Sequence, residues 1–347
     1  MNFQKFHKEF RVNDKSFLST NELFDFSNEL PAEVQLFLAQ WFDEKTFIEV
    51  KTSGSTGAPK TIKLQKKHLK NSAQMTGAYF KLDAKTKALL CMSATYIAGK
   101  MMLVRAVELG WHIDIVEPCS NPLKKIGKTY DFCAMVPYQL HHSINDLEKI
   151  KTLIVGGGAV PFDLLHKIQP LKTKIYATYG MTETITHIAV KKLNNHALEK
   201  CFFQVLEGVQ ISMDERGCLA ITAKQLSDEL IVTNDLVALV SENEFEWLGR
   251  FDNIINSGGV KHIPEQIEKK LESILQQRFF IVGVNDKVLG EKIVLMIEGE
   301  KDQKIVNQIA ELTILNRYEK PKEIFFIKNF TETATGKINR MKTMTQI

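Results

Sequence analysis

A run of glycines, hydroxyl side chains and lysines at residues 51–60 is the part of this sequence most suited to holding phosphate. It reads Lys-Thr-Ser-Gly-Ser-Thr-Gly-Ala-Pro-Lys. Glycines let backbone N–H groups approach a phosphate closely, while hydroxyls and lysine add donors and positive charge. A Walker loop needs Gly-Lys-Ser/Thr after a four-residue gap, followed by a helix. Here Pro59 takes the second glycine's place, and residues 61–64 are predicted as a strand. The remaining alternatives are another kind of phosphate loop or a flexible turn.

Polar residues also close two predicted strands further along the chain. Tyr179, Gly180, Thr182 and Glu183 lie at the end of the strand predicted at residues 174–180, and the glycines at 156–158 close the strand predicted from residue 152. Ligands of open α/β folds bind at the carboxyl ends of parallel strands. One carboxylate with phosphate oxygens also suits Mg²⁺. The alternatives are a polar strand end and a βα turn, each without a ligand.

Four further groups of polar residues and glycines follow in the second half of the chain. Asp235 interrupts an apolar run, and Arg250 and Asp252 follow Gly249. Residues 257–261 read Ser-Gly-Gly-Val-Lys, and Thr335-Gly336-Lys337 lies near the end. Taken singly, Asp235 is also compatible with an ordinary turn and the lysine with a solvated tail.

The elements predicted around these motifs alternate between strands and helices, which indicates parallel βαβ units. The predicted strands are residues 47–50, 88–93, 112–117, 131–137, 152–157 and 174–180, with helices at 68–80 and 100–109. Short strands broken by turn residues predict an antiparallel section over residues 208–249. A small α+β unit follows, with a helix at 264–275, strands at 279–284, 292–299 and 323–330, and a helix between the last two strands.

Composition excludes several other classes of protein. The 347 residues carry 45 Lys+Arg and 41 Asp+Glu, a net charge of +4 scattered along the chain, so a nucleic-acid role has little support. No apolar run is long enough to span a membrane, and the start has no apolar signal region. The five cysteines form no CxxC pair, which predicts reduced thiols in a cytoplasmic protein without structural zinc. The oligomeric state is left open.

These motifs, in this order over residues 47–342, resemble those of the adenylate-forming (AMP-binding) superfamily of acyl- and aryl-CoA ligases. The resemblance implies a large amino-terminal domain, residues 1–251, and a small mobile carboxyl-terminal domain, residues 252–347, in an α/β fold. It also implies ATP, Mg²⁺ and coenzyme A as cofactors, with small-molecule substrates. The nucleotide-binding residues would be Thr52, Ser53, Gly54, Ser55, Thr56, Gly57, Lys60, Gly157, Gly158, Tyr179, Gly180, Asp235 and Arg250.

The resemblance also assigns roles in the reaction. Thr182 would touch the AMP phosphate, Glu183 would hold Mg²⁺, and Lys337 would bridge the substrate carboxylate and the α-phosphate. Asp252 would be the hinge between the domains. The residues facing coenzyme A would be Gly258, Gly259 and Lys261. One departure from the motifs is Asn234, which stands before Asp235 where the superfamily has glycine.

Within the superfamily, the chain is most similar to short forms of the o-succinylbenzoate–CoA ligases of menaquinone synthesis. Only 50 residues precede the phosphate loop, fewer than in full-length relatives, and residues 92–99 followed by Arg105 resemble a segment of that branch. Tyr96 replaces its usual histidine. The candidate acid pocket is Tyr96, Lys100, Arg105, Thr186 and His187. Arg105 is also compatible with a solvated helix arginine, and His187 with a satisfied core histidine.

The predicted function is therefore acyl-AMP formation from ATP and a carboxylic acid, followed by transfer of the acyl group to coenzyme A. The resemblance implies that the acid is o-succinylbenzoate, which would be converted to o-succinylbenzoyl-CoA in menaquinone biosynthesis. Two alternatives stay within the superfamily: a ligase for another acid, or one that loads a carrier protein. A third alternative is a nucleotide-binding protein without catalytic activity.

Overall fold

A computed structural model describes residues 5–51, 61–195, 201–332 and 338–347, and the predicted α/β class is confirmed. The chain divides into two compact units. The first comprises Met1–Gln210 and Ile221–Ile231, and the second comprises Ile211–Ala220 and Val232–Ile347. Among the described residues, no helix combines the length and the apolar character needed to cross a membrane.

The first unit contains most of the strand–helix alternation predicted from the sequence. Its elements are β1 (Arg11–Val12), β2 (Lys15–Ser16), α1 (Thr20–Ser27), α2 (Ala32–Phe42), β3 (Phe47–Lys51), β4 (Thr61–Gln65), α3 (Lys66–Phe80), β5 (Lys87–Leu90), α4 (Ile97–Leu109), β6 (His112–Ile115), β7 (Tyr130–Met135), α5 (Pro137–Ser143), β8 (Ile150–Val155), α6 (Phe162–Ile168), β9 (Lys174–Gly180), β10 (His187–Lys192) and β11 (Phe203–Val205).

Its main sheet has the neighbour order β11-β10-β9-β8-β7-β5-β6-β1-β2. The pairs from β9 through β8, β7, β5 and β6 to β1 are parallel, whereas β10 pairs antiparallel with both β9 and β11. The predicted parallel βαβ units are thus confirmed in the centre of this sheet. The apolar residues of β7 and β8 pack with α5 and α6 into a buried cluster that includes Met135, Leu140, Leu153 and Leu164.

The strand predicted at residues 47–50 is present, but its assignment to the parallel units is wrong. β3 instead pairs antiparallel with β4, from Phe47 opposite Gln65 to Lys51 opposite Thr61, in a separate two-stranded sheet. Parallel strands need a crossover connection, usually a helix, whereas neighbouring strands joined directly pair as a hairpin. The strand predicted at residues 61–64 is confirmed, so the phosphate-loop motif joins the two strands of a hairpin.

The residues ahead of β3 cover one edge of the sheet. β1 pairs parallel with β6, opposite His112 and Ile113, and the backbone N–H of His7 donates to the carbonyl of Val107. The apolar face of this segment is mainly aromatic, since the rings of Phe6, Phe10 and Phe17 pack in sequence at 5.7 and 6.4 Å between centroids. This short segment therefore supplies its own core against α4 and β6.

The second unit contains the predicted antiparallel section and the small α+β section. Its elements are β12 (Gln210–Met213), β13 (Cys218–Thr222), β14 (Ile231–Ser241), β15 (Glu244–Arg250), β16 (Ile255–Ser257), β17 (Val260–His262), α7 (Pro264–Leu271), β18 (Phe279–Asp286), β19 (Gly290–Glu298), α8 (Gln303–Glu311), β20 (Glu323–Ile327) and α9 (Arg340–Met344), with a short 3₁₀ helix at Phe251–Asn253.

Strands β14 and β15 pair antiparallel, as predicted, and β12 and β13 continue that order. In the α+β section, β19 pairs with β16 and β18 antiparallel and with β20 parallel. Helix α7 begins with Pro264, a residue that fits the first helical position, and it ends at Leu271, four residues before the predicted end. The boundary predicted at residues 251–252 lies within this second unit, and the hinge at Asp252 stays a prediction.

Candidate active site

The carboxyl ends of three parallel strands meet at one edge of the sheet in the first unit. Met135 of β7 stands opposite Val155 of β8, which stands opposite Ala177 of β9. The residues that follow these positions therefore lie side by side: a Cβ on Gly157 would lie 3.6 Å from the side chain of Val136. The motifs predicted at 156–158 and 179–183 thus share the edge at which ligands of such sheets bind.

A tight turn after β9 presents Glu183. Gly180 passes so close to the backbone carbonyl of Thr186 that a side chain there would collide with it. The hydroxyl of Thr184 accepts from the N–H of Met181 at 2.9 Å and donates to the carbonyl of Thr186 at 2.7 Å. Thr184 is fully buried, and the sequence motif alone did not identify it as the residue that closes this turn.

Glu183 lines an open cavity of about 220 Å³. Its carboxylate is exposed, and it has no cationic partner among the described residues. No group of three or more His, Cys, Asp or Glu side chains in the described ranges could hold a metal without other ligands. One free carboxylate fits Mg²⁺ that takes its other ligands from phosphate and water. The cavity is lined by Lys63, Leu64, Gln65, His68, Glu183, Ile185, Leu226, Ser227, Asp228 and Glu229.

Tyr179 and Thr182 lie on the same stretch of chain as Glu183. The ring of Tyr179 is half-buried and packs edge-on against Phe203 of β11, with centroids 5.8 Å apart. Thr182 is also half-buried, and its carbonyl accepts from the N–H of Ile185. The aromatic ring and the hydroxyl thus lie within four residues of Glu183 in sequence, and their roles at a nucleotide stay predictions.

In the second unit, the structure brings Asp235 and Arg250 together. They stand opposite each other on β14 and β15, with 3.7 Å between Arg250 Nη1 and Asp235 Oδ1. The indole N–H of Trp247 donates to the same oxygen of Asp235 at 3.2 Å. Asp235 is buried and Arg250 is partly exposed. The carboxylate of Asp235 is therefore held in place as a hydrogen-bond acceptor, while the guanidinium of Arg250 can donate to a bound molecule.

Asn234, the departure from the superfamily motif, ties this pair to the predicted hinge. Its amide donates to Asp252 Oδ2 at 3.1 Å, and its oxygen accepts from Arg216 at 2.8 Å. Arg250 Nη2 lies 3.5 Å from the same oxygen of Asp252. A glycine could make neither side-chain bond. Arg216 and Trp247 are members of this network that the motif did not reveal, because only the pairing of the strands brings them close.

The Gly258–Gly259 motif forms the turn between β16 and β17. Both residues have positive φ, +58° and +81°, which favours glycine at each position. The N–H of Gly258 donates to the carbonyl of Leu289 at 2.9 Å, so the turn is attached to the neighbouring hairpin. Nothing lies within 4 Å of where a Cβ of Gly259 would stand, and Lys261 on β17 is exposed.

Arg105 lies in the interior of the first unit and is not a solvated helix residue. It is 1% exposed on α4, where its Nε donates to the hydroxyl of Thr76 at 3.2 Å. Its Nη1 has only a weak contact with Met102 Sδ at 3.7 Å, and Nη2 has no hydrogen-bond partner among the described residues. No carboxylate of the described chain pairs with this cation. Burial lowers the pKa of Arg105 to about 9, which leaves it charged at neutral pH.

His187 lies near this arginine and is also incompletely bonded. It is 3% exposed, and its Nε2 has no hydrogen-bond partner in the described part of the chain. Burial, and then the charge of Arg105, lower the pKa of His187 to about 3, so the imidazole is neutral. Two residues of the predicted acid pocket, Arg105 and His187, are thus buried, and each has a side-chain nitrogen without a hydrogen-bond partner among the described residues.

The other acid-pocket candidates have different surroundings. Lys100 is buried against α2, with Nζ 5.5 Å from the ring of Phe37; burial lowers the pKa of Lys100, and nearby Glu33 opposes that effect. Tyr96, at the start of α4, is 42% exposed. Thr186 precedes His187 and is half-buried, with its N–H bonded to Thr184. Lys100 therefore already has a carboxylate near it, unlike Arg105.

Several predicted site residues lie outside the described residues. They are Thr52, Ser53, Gly54, Ser55, Thr56, Gly57, Lys60 and Lys337.

Comparison with known proteins agrees with the motifs. Residues 50–211 match the family of AMP-binding enzymes. An acyl-CoA synthetase (AMP-forming)/AMP-acid ligase II-like protein from Dyadobacter fermentans is 38% identical, with 91% of this chain and 93% of that one covered and a TM-score of 0.61. The chain belongs to the AMP-binding enzyme family, and it is an AMP-forming CoA ligase.

Other similar proteins carry a more specific name. A 2-succinylbenzoate–CoA ligase from Lactococcus lactis is 25% identical over an alignment of 341 positions, which covers 90% of this chain and 73% of that protein. The o-succinylbenzoate coenzyme A synthetase of Bacillus subtilis, solved in complex with ATP and magnesium ion, has a TM-score of 0.75 at 19% identity, with 85% of this chain and 69% of that one covered. At that identity the structural likeness concerns the fold.

Proposed function

We propose that this ligase converts o-succinylbenzoate to its CoA thioester, with o-succinylbenzoyl-AMP as the intermediate, in menaquinone biosynthesis. The observation that carries the choice of acid is the buried guanidinium of Arg105, which has no carboxylate partner in the described chain. The names of the relatives support the same choice.

A charge buried without a partner is costly, by several kcal/mol even after relaxation. o-Succinylbenzoate carries two carboxylates, of which one reacts and one stays ionised. The ionised carboxylate would supply the anion that Arg105 lacks, and a planar guanidinium suits a carboxylate with two parallel hydrogen bonds. His187, being neutral, can complete the bonding without adding charge. An acid with a single carboxylate would leave Arg105 unpaired.

In the first half-reaction, an oxygen of the reacting carboxylate attacks the α-phosphorus of ATP, and the bond to pyrophosphate breaks. The loop at residues 53–60 would hold the β- and γ-phosphates, and Thr182 would contact the α-phosphate. Lys337 would offset the negative charge that develops there. Asp235 and Arg250 would bind the ribose hydroxyls, with Tyr179 and the glycines at 156–158 beside the adenine. Such catalysis is positioning and electrostatic stabilisation, without a covalent enzyme intermediate.

Mg²⁺ would be held by Glu183 together with phosphate oxygens and water, and would supply charge neutralisation at the phosphates. This proposal uses the free, exposed carboxylate of Glu183 beside the cavity.

In the second half-reaction, the thiol sulfur of coenzyme A attacks the acyl carbonyl carbon, the bond to phosphate breaks, and AMP departs; the thiol proton is lost to solvent. Rotation about Asp252 would withdraw Lys337 and bring the turn at Gly258 and Gly259 to the thiol. The open space beside Gly259 suits close passage of the thin pantetheine chain. Domain rotations of this kind require changes at only a few backbone dihedrals.

The test is thioester formation from o-succinylbenzoate with ATP, magnesium and CoA, followed by mass spectrometry. Two matched acids, each lacking one of the carboxylates, serve as controls. We expect the thioester from o-succinylbenzoate and at least about 10²-fold lower kcat/KM for the control acids, the size of a lost buried charge pair. Equal turnover of a monocarboxylate would disprove the choice of acid. Acyl-AMP without thioester would favour a carrier-protein ligase, and no pyrophosphate release with any acid would favour a non-catalytic protein.

A further inference from the structure

A partly buried ion pair in the second unit joins α7 to the residues that follow Lys337. Arg340 Nη2 donates to Glu268 Oε2 at 2.9 Å, with the two side chains 29% and 14% exposed. Arg340 Nη1 donates to the carbonyl of Ile281 at 3.2 Å, and the N–H of Ile281 donates to Glu268 Oε1 at 2.7 Å. The guanidinium also lies 5.5 Å from the centre of the Phe280 ring. Arg340 is thereby fixed on three sides.

The chain on both sides of residues 333–337 is held by further contacts. Glu332 and Ile338 form an antiparallel bridge, and the N–H of Asn339 donates to the carbonyl of Thr331 at 2.7 Å. Glu332 also accepts from Arg278 at 2.6 Å. Residues 331–332 and 338–340 are therefore attached to each other and to the body of the second unit, at the two ends of the segment that carries Lys337 in sequence.

We propose that Glu268 and Arg340 are positioning residues, whose ion pair holds the chain next to Lys337 so that the lysine meets the α-phosphate in the adenylation half-reaction. This inference rests on the role given to Lys337 in the proposed function. A positioning error of about 1 Å can reduce a rate by about 10²-fold, so a catalytic lysine requires a fixed backbone beside it. Two hydrogen bonds and one ring contact give Arg340 the geometry for this task, whereas a residue that only capped α9 would need none of them.

The same helix contains a matched pair that serves as a control. Lys270 of α7 pairs with Glu319 at 2.7 Å, and these side chains are 36% and 14% exposed, close to the values for Arg340 and Glu268. Glu319 follows α8 in sequence; it accepts from Lys270 and from the N–H of Asn316, and it has no ion pair with residues 331–332 or 338–340 among the described residues. Loss of the Lys270–Glu319 pair would disturb α7 without affecting the neighbours of Lys337.

The experiment compares Glu268→Gln, Lys270→Met and Lys337→Ala in the whole 347-residue chain. Adenylation is measured as pyrophosphate release in a single turnover without CoA, and thioester formation is measured from prepared acyl-AMP with CoA. We expect Glu268→Gln to lower adenylation by about 10- to 100-fold with less than about 2-fold change in thioester formation, and Lys270→Met to change neither by more than about 2-fold. Arg340→Lys, which retains the charge, should keep more adenylation than Arg340→Gln.

The decisive measurement is Glu268→Gln combined with Lys337→Ala. If the ion pair acts through the lysine, the double variant adenylates no more slowly than Lys337→Ala alone. Additive losses, equal losses in both half-reactions, or wild-type adenylation by Glu268→Gln would each overturn the proposal. The proposed function has its own test in the same series: a Lys337→Ala variant that adenylates normally would remove the role of the lysine, whatever Glu268 does.

Discussion

Two arginines of this chain, one in each unit, have opposite electrostatic surroundings. Arg340 has a carboxylate, a backbone carbonyl and an aromatic ring around its guanidinium. Arg105 is more deeply buried and has a hydroxyl and a sulfur, but no anion, within the described chain. Burial raises the pKa of Glu268 and the charge of Arg340 opposes that change, so the pair compensates itself. Arg105 has no such compensation.

The difference separates a charge that serves the fold from one that serves a ligand. A buried ion pair adds little net stability but is costly to break, because the remaining partner is left uncompensated. An unpaired buried charge is costly from the start, and a protein keeps it when a bound anion completes it. In the proposed function, Arg340 orders its own chain, and Arg105 would bind the second carboxylate of the substrate.

The largest expected effect is at Arg105. Arg105→Met should lower kcat/KM for o-succinylbenzoate by about 10²- to 10³-fold, since truncating a buried charge pair costs about 2–5 kcal/mol. It should also raise the free energy of unfolding without substrate, by about 2 kcal/mol, because a desolvated charge is replaced by an apolar chain of similar length. Steady-state kinetics and urea denaturation measure the two effects.

For Arg105→Met, the informative result is the change in kcat/KM taken together with the change in the free energy of unfolding. Lost turnover together with lost stability would mean that Arg105 is a structural residue. Arg105 and Arg340 would then both stabilise the fold, and the proposed difference between them would be wrong. Arg105→Lys is the matched variant: it keeps the charge without the planar fork, so it should recover part of the turnover.

At Arg340, the expected change in the free energy of unfolding has the opposite sign. Arg340→Met should lower the free energy of unfolding by about 3 kcal/mol, at the low end of the cost of breaking a buried pair because Arg340 is partly exposed. Arg317→Met, at an exposed arginine of the same unit, should change it by less than about 0.5 kcal/mol. Urea denaturation followed by circular dichroism measures both. If Arg340→Met left the free energy of unfolding unchanged, the charge of Glu268 would be stabilised by a group other than Arg340.

The sequence predicted the features that depend on neighbouring residues. Strand and helix periods and the polar ends of β8 and β9 are local patterns, and they placed Glu183 just after the strand that ends at Gly180, where the structure has it. The direction in which β3 pairs could not be predicted from its apolar run, because that depends on the connection that follows. The Glu268–Arg340 pair joins residues 72 positions apart, and Trp247 reaches Asp235 only through the register of β14 and β15. Such contacts require the tertiary fold.

A smaller, pH-dependent effect is expected at His187. Its pKa is lowered to about 3 in the folded chain, so the unfolded chain binds more protons below the ordinary histidine pKa. Stability is therefore lost as pH falls from about 7 to 5.5, by about 1.3 kcal/mol from this group. His187→Gln should remove that part of the pH dependence, whereas His166→Gln, at an exposed histidine, should retain it. Urea denaturation at the two pH values measures the difference, and an unchanged pH dependence would contradict the burial of a neutral imidazole.

The smallest expected effect is at Trp247, where the second unit again pairs its own groups. The indole N–H holds one oxygen of Asp235 at 3.2 Å, on the side of the carboxylate that Arg250 also approaches. Trp247→Phe keeps the ring but removes this donor, worth about 1 kcal/mol, so KM for ATP should rise by about 3- to 10-fold with little change in kcat. Trp111→Phe is the matched control, because the indole nitrogen of Trp111 is buried in the first unit without a partner among the described residues. That variant should leave KM for ATP unchanged. If Trp247→Phe lowered kcat and left KM for ATP unaltered, Asp235 would stabilise the transition state of the reaction. The role of the second unit would then not be limited to binding ATP and positioning Lys337.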